Sequence, residues 1–238
     1  MAANRDEFYN RKTAPASFWK DHKNIVGGRD LEAMGTWMAM SKQGKISLVT
    51  NYRDLTNIKP QAPSRGQLVT DYLLENGSPK DYLEHVETKG KTYNGFNLIV
   101  GSAEELYYYS NYKGGVEKIE SGLHGLSNHL LDTPWPKVTR GIEKMKTLLA
   151  STEIDPVKLF DLLYDDQRAP DEKLPDTGVG LERERMLSSM FIKSPNYGTR
   201  CSTVVMIDQN DNVHFIERVY DLSTFEFTTQ SFEFKIIS

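Results

Sequence analysis

The residues able to do chemistry are few and scattered. Cys201 is the chain's one cysteine. It stands beside Arg200 just before a strand-like run, and a neighbouring cation can lower a thiol's pKa and make it a nucleophile. A small buried thiol in a core is the plainer reading. The five histidines are His22, His85, His124, His129 and His214. His124 and His129 are five apart, off the spacing that sets two ligands on one helix face, and no metal site is expected. Gly125-Leu126-Ser127-Asn128-His129 approaches a nucleophile elbow but ends in histidine where that tight turn needs glycine. Asp208-Gln209-Asn210-Asp211-Asn212 lacks the glycine and distal glutamate of a calcium loop, and reads as a hairpin turn. Gly122-Leu123-His124-Gly125 is too short for a dinucleotide fingerprint, and no phosphate loop is present.

The elements that would position these groups follow from pattern. Asn4 to Trp19 is polar, contains Pro15, and reads as a loop following an earlier element. Gly27-Gly28-Arg29-Asp30 reads as a turn. Thr36–Met40 and Ile46–Thr50 read as a hairpin through Lys42–Lys45. Ser64-Arg65-Gly66-Gln67 has the form of a capping box ahead of Leu68, Val69, Tyr72 and Leu73 at helical spacing. Asn76-Gly77 ends that run, and Ser78-Pro79 starts a second helix with serine as cap and proline in the first turn. Asn76-Gly77-Ser78 also fits a glycosylation acceptor, but a turn explains it.

Strands are expected at Phe96–Val100, Leu106–Tyr109 and Val116–Ile119, then helices after Pro134-Trp135-Pro136 and from Asp155-Pro156. Asp165 to Gly180 reads as a loop. Thr203–Ile207 and Val213–Val219 read as a hairpin, and Phe225, Phe227, Phe232, Phe234 and Ile236 as half-buried strands. Runs of strands and helices that do not alternate regularly point to one α+β domain over residues 1–238.

Composition narrows the function. Twenty-nine basic against 33 acidic residues give a formal charge of −4, which does not suit a nucleic-acid binder. A single cysteine excludes an internal disulfide and fits a reducing interior. The start Met1-Ala2-Ala3-Asn4 is not a signal peptide, and no stretch reads as a transmembrane segment, so a cytoplasmic protein is expected.

Several blocks together carry a family resemblance. Asn4-Arg5-Asp6-Glu7-Phe8-Tyr9 with Phe18-Trp19 opens the series, and Gly35-Thr36-Trp37 with Leu48-Val49-Thr50-Asn51-Tyr52-Arg53 follows. Next come Ser64–Val69, Tyr93–Leu98, and Gly125-Leu126-Ser127-Asn128 with Asp132–Lys137. Tyr197-Gly198-Thr199-Arg200 with Glu217-Arg218 closes it. In this order, over essentially the whole chain, they resemble the NRDE-motif family, also called the transport and Golgi organisation protein 2 family. The resemblance implies the four-layer αββα sandwich of N-terminal-nucleophile hydrolases, here with its first strand apparently missing.

In catalytic relatives an N-terminal cysteine attacks an amide and its own amine serves as base. The resemblance makes Asn4, Arg5, Asp6, Asn51, Asn128 and Arg200 pocket-lining candidates. Arg5 would favour a thiolate and Asp6 would hold an amine. Asn51 and Asn128 would donate to an oxyanion, about 3 kcal/mol per well-placed donor. The bland role for each is to satisfy backbone groups or pair with a carboxylate.

Removing Met1 would expose Ala2, which has no nucleophilic atom, and the amine of Cys201 is locked in a peptide bond. The first expectation is therefore a non-catalytic binding or trafficking factor, linked by the resemblance to Golgi organisation, secretion, and haem or lipid handling. Haem is the carried ligand that the resemblance allows, and no cofactor is fixed by the residues. The alternative is an amide (C–N) hydrolase, acting on an acyl amide, whose nucleophile lies upstream. An interaction surface built on Tyr107-Tyr108-Tyr109 is the third option.

Overall fold

The computed structural model describes residues 1–151 and 153–237. Its contacts gather into two compact units. One holds Met1–Arg11, Leu123–Gly125 and Asp132–Glu233; the other holds Lys12–Gly122, Leu126–Leu131 and Phe234–Ser238.

The chain opens with β1 (Ala2–Phe8) and β2 (Thr13–Phe18), followed by β3 (Ile25–Asp30), β4 (Met38–Ser41) and β5 (Ile46–Asn51). Two helices follow, α1 (Gly66–Leu74) and α2 (Pro79–Lys89), then β6 (Phe96–Gly101), β7 (Leu106–Ser110) and β8 (Glu117–Ile119). Next come α3 (Pro136–Leu149), α4 (Pro156–Leu163) and α5 (Leu181–Leu187). The end is β9 (Tyr197–Ile207), β10 (Asn212–Tyr220) and β11 (Phe227–Lys235).

The fold is α+β. One sheet has seven strands in the order β2-β3-β4-β5-β6-β7-β8, each neighbour antiparallel, so it is a meander interrupted by α1 and α2. The other has four strands in the order β1-β9-β10-β11. Each sheet carries its own helices. Leu68, Val69, Tyr72, Leu83 and Val86 of α1 and α2 are buried with Ala39, Phe96, Leu98 and Val100. Leu159, Phe160, Leu162 and Leu163 of α4 are buried with Val204 and Ile216. Each unit is thus a sheet with helices on one face.

Three expectations change. Asn4–Trp19 is not a loop: it forms β1 and β2, and β1 pairs antiparallel with β9 from Ala2↔Val204 to Phe8↔Tyr197. Its polar side chains are held inside by hydrogen bonds, so composition misread it. On its other side β1 has no strand among the described residues.

Gly27 and Gly28 lie inside β3, not in a turn. A Cβ on Gly27 would stand 2.6 Å from the Ala39 Cβ and 2.8 Å from the Met38 carbonyl oxygen. Glycine is there because β4 approaches too closely for a side chain.

The capping box does not form: α1 starts after Arg65 with no side-chain cap, and the Gln67 amide donates to Asp71 instead. The Gly66 carbonyl accepts from the Thr36 N–H, so this helix start is tied to the adjoining chain. Ser78, by contrast, caps α2 by accepting from the Asp81 N–H at 3.1 Å. The Asp165–Gly180 loop holds one short 3-10 turn, Asp171–Lys173, and α5 follows where no element was expected.

Gly27→Ala should lower stability by about 1–3 kcal/mol, because the added methyl meets backbone that cannot yield. Gly77→Ala, with open space around it, should stay within about 0.5 kcal/mol. Urea unfolding of the two variants distinguishes a strand glycine from a turn glycine.

Candidate functional site

Four candidates lie in the unit built on the four-stranded sheet. Asn4 points to the helix-covered side. Its Nδ2 donates to the carbonyls of Leu163 (2.8 Å) and Met190 (2.9 Å), and its Oδ1 accepts from the Ser202 hydroxyl at 2.6 Å. Ser202 is linked in turn to the Tyr220 hydroxyl. Asn4 thus ties β1 to the end of α4 and to the chain after α5.

Arg5 points to the opposite face and is 8% exposed. It stands across from Cys201 in the β1–β9 register. Thr203, two residues along, and Glu217, across from Thr203, share that face. Glu217 is 1% exposed, and Thr203 donates to it at 3.4 Å. An arginine, a thiol, a hydroxyl and a carboxylate are therefore buried together, with the arginine also 3.9 Å from Glu7. Burying a lone carboxylate is costly, and the neighbouring cation and hydroxyl offset that cost. Burial pushes the Cys201 thiol well above its ordinary range, and the charge of Glu217 adds to this, while Arg5 pulls the other way. The environment keeps the thiol protonated.

The register slips between Arg5 and Asp6, so that Asp6 faces Thr199 and Arg200 is the extra residue of a β-bulge. Asp6 accepts from the Thr199 hydroxyl at 2.6 Å, and that hydroxyl accepts from the Ile192 N–H. Arg200 turns its guanidinium to the carbonyls of Phe8 and Arg11, fastening the chain just beyond β1.

Asn51 and Asn128 belong to the other unit. Asn51 ends β5 and is exposed. Its carbonyl accepts from the Asn128 side-chain amide at 3.1 Å. Arg53 donates from its backbone N–H to the Asn128 carbonyl at 2.7 Å and from its guanidinium to the Asn128 Oδ1 at 3.4 Å. Tyr52 stacks on Tyr112 with centroids 3.9 Å apart, and the His129 ring lies 5.0 Å from Tyr52. Burial holds His129 below its ordinary range. Asn4, Arg5, Asp6 and Arg200 are thus gathered in one unit, and Asn51 with Asn128 in the other.

Glu217 and Asn97 are the residues that sequence reasoning passed over. Both sit at inward positions of apolar strands, Glu217 two after Phe215 and Asn97 two before Ile99. A charge or amide on a buried register was the signal available.

A family model described as Transport and Golgi organisation 2 matches residues 1–222. The chain belongs to the Transport and Golgi organisation 2 family. It is 35% identical to the Transport and Golgi organization 2 homolog of Mus musculus, over 100% of this chain and 92% of that protein. It is 36% identical to the Homo sapiens homolog, over 97% and 92%. The Drosophila melanogaster protein is 31% identical, over 91% and 84%. Among solved structures, two variants of a conjugated bile acid hydrolase from Clostridium perfringens are similar. One has a TM-score of 0.48 at 9% identity, covering 99% of this chain and 93% of that one. The other has a TM-score of 0.43 at 11% identity, covering 98% and 87%. Likenesses this distant say nothing of the reaction here. Among the described residues of this family member, no helix is long and apolar enough to cross a membrane.

Cys201 should resist a thiol reagent such as DTNB at pH 8 in the folded protein and react at once in denaturant. Rapid reaction of the folded chain would show an activated or open thiol.

Proposed function

We propose that this family member is a non-catalytic, cytoplasmic binding or trafficking factor that carries a small-molecule ligand, haem or a lipid, in support of transport and Golgi organisation. The observation that carries the non-catalytic part is Cys201. The chain's one thiol is buried beside Glu217 in surroundings that disfavour the thiolate, the reverse of what an amide-cleaving nucleophile needs. The partners of Asn4, Asp6 and Arg200 support the same reading, since each side chain is spent on holding neighbouring chain. The transport part rests on the names of the relatives and on the family resemblance. The family match over residues 1–222 supports treating residues 1–238 as one domain.

Haem is the ligand to try first, because its binding is read directly from its absorption band. Titrating haemin into the purified protein, with His124→Ala as a comparison, should give a saturable spectral change. The absence of saturable binding would remove the haem version. Turnover of N-acyl amino acids by the same preparation would contradict the non-catalytic reading.

A further inference from the structure

The seven-stranded sheet packs one face against α1 and α2, and its other face carries polar side chains beside the buried Ile46, Leu48 and Ile99. Thr50 of β5, Asn97 of β6 and Tyr108 of β7 lie there side by side: Asn97 is opposite Thr50 in the register, and Tyr108 is one diagonal step away. Asn97 is 0% and Tyr108 1% exposed. Their hydrogen bonds form a directed circuit. The Tyr108 hydroxyl donates to the Asn97 Oδ1 at 2.8 Å, and the Asn97 Nδ2 donates to the Thr50 Oγ1 at 3.1 Å.

Each member of the circuit also holds one backbone group of the segment 127–131. Thr50 donates to the Ser127 carbonyl at 2.9 Å, Asn97 to the His129 carbonyl at 2.9 Å, and the Leu131 N–H donates to the Tyr108 oxygen at 3.2 Å. The three groups held are on alternate residues, 127, 129 and 131, the spacing at which a strand turns the same side to a neighbour. Three side chains thus do what a ladder of backbone bonds does for a strand. Between the held residues stands Asn128, whose side chain is fixed by the Asn51 carbonyl and the Arg53 guanidinium.

A buried polar network in which every donor has an acceptor fixes one geometry, because an alternative placement would leave a group unpaired at a cost. We infer that Thr50, Asn97 and Tyr108 are positioning residues that hold 127–131 as a preformed binding element and thereby set the orientation of the Asn128 amide. This deepens the ligand-binding reading above and rests on it only in taking Asn128 to line the site.

Tyr108→Phe and Thr50→Val each remove one hydroxyl while keeping the volume, so the fold is retained. In the unliganded wild type, 15N NMR should show the Asn128 side-chain amide displaced from the solvent-exposed position and slow exchange of the Leu131 N–H. In both variants the Asn128 amide should move to the solvent-exposed position. Amide exchange at 127–131 should quicken about tenfold, the loss of one net hydrogen bond, while Leu98–Val100 stay protected. An unmoved Asn128 amide, or exchange quickened equally across β6, would overturn the inference. Because the reading is made without ligand, it stands or falls apart from the haemin titration.

Discussion

A polar group taken out of water must be met by another, and both sheets of this protein bury polar side chains on the face turned from their helices. The four-stranded sheet holds Arg5, Cys201, Thr203 and Glu217 there; the seven-stranded sheet holds Thr50, Asn97 and Tyr108. Unpaired, any of these would cost on the order of 1–3 kcal/mol, more for the charged ones. Much of the backbone arrangement serves to pair them. The bulge at Arg5/Asp6 lets one strand turn Arg5 inward and still set Asp6 on Thr199. The extra residue of that bulge, Arg200, holds the carbonyls that follow β1.

The apolar side of the fold is simpler. Helix faces with leucine, valine and phenylalanine cover strands with the same residues, and this burial supplies the drive to fold. Burial and pairing choose the register together: a one-residue slip would turn Phe96, Leu98 and Val100 away from their helices, and would turn Glu217 or Asn97 to the helix side without its partners.

That division explains what could be read from the sequence. The helical spacing around Leu68–Leu73, the serine cap before Pro79, the hairpin at Asp208 and the strands from Phe96 to Tyr109 were legible because each rests on local chemistry. β1 and β3 were not. β1 looks like a loop because its polarity is absorbed by residues 160–200 places away, such as Ser202 and Leu163. The glycines of β3 look like a turn because the close approach of β4 cannot be seen in the sequence. The family blocks named the candidates, but not their partners. Asn4 and Asp6 are engaged by Ser202 and Thr199, and nothing in the residues near them signals those pairings.

A motif rich in asparagine, arginine and aspartate invites a catalytic reading, yet here Asn4, Asp6 and Arg200 each meet a backbone carbonyl or a hydroxyl. On this view these residues are what the fold requires. The most direct measurement is equilibrium urea unfolding of Asn4→Ala, which removes the hydrogen bonds that Asn4 makes to the Leu163 and Met190 carbonyls and to the Ser202 hydroxyl. The expected result is a loss of at least about 2 kcal/mol, the cost of stranding several polar groups. Stability within about 0.5 kcal/mol of the parent, the range of an indifferent surface change, would contradict a structural role for the segment.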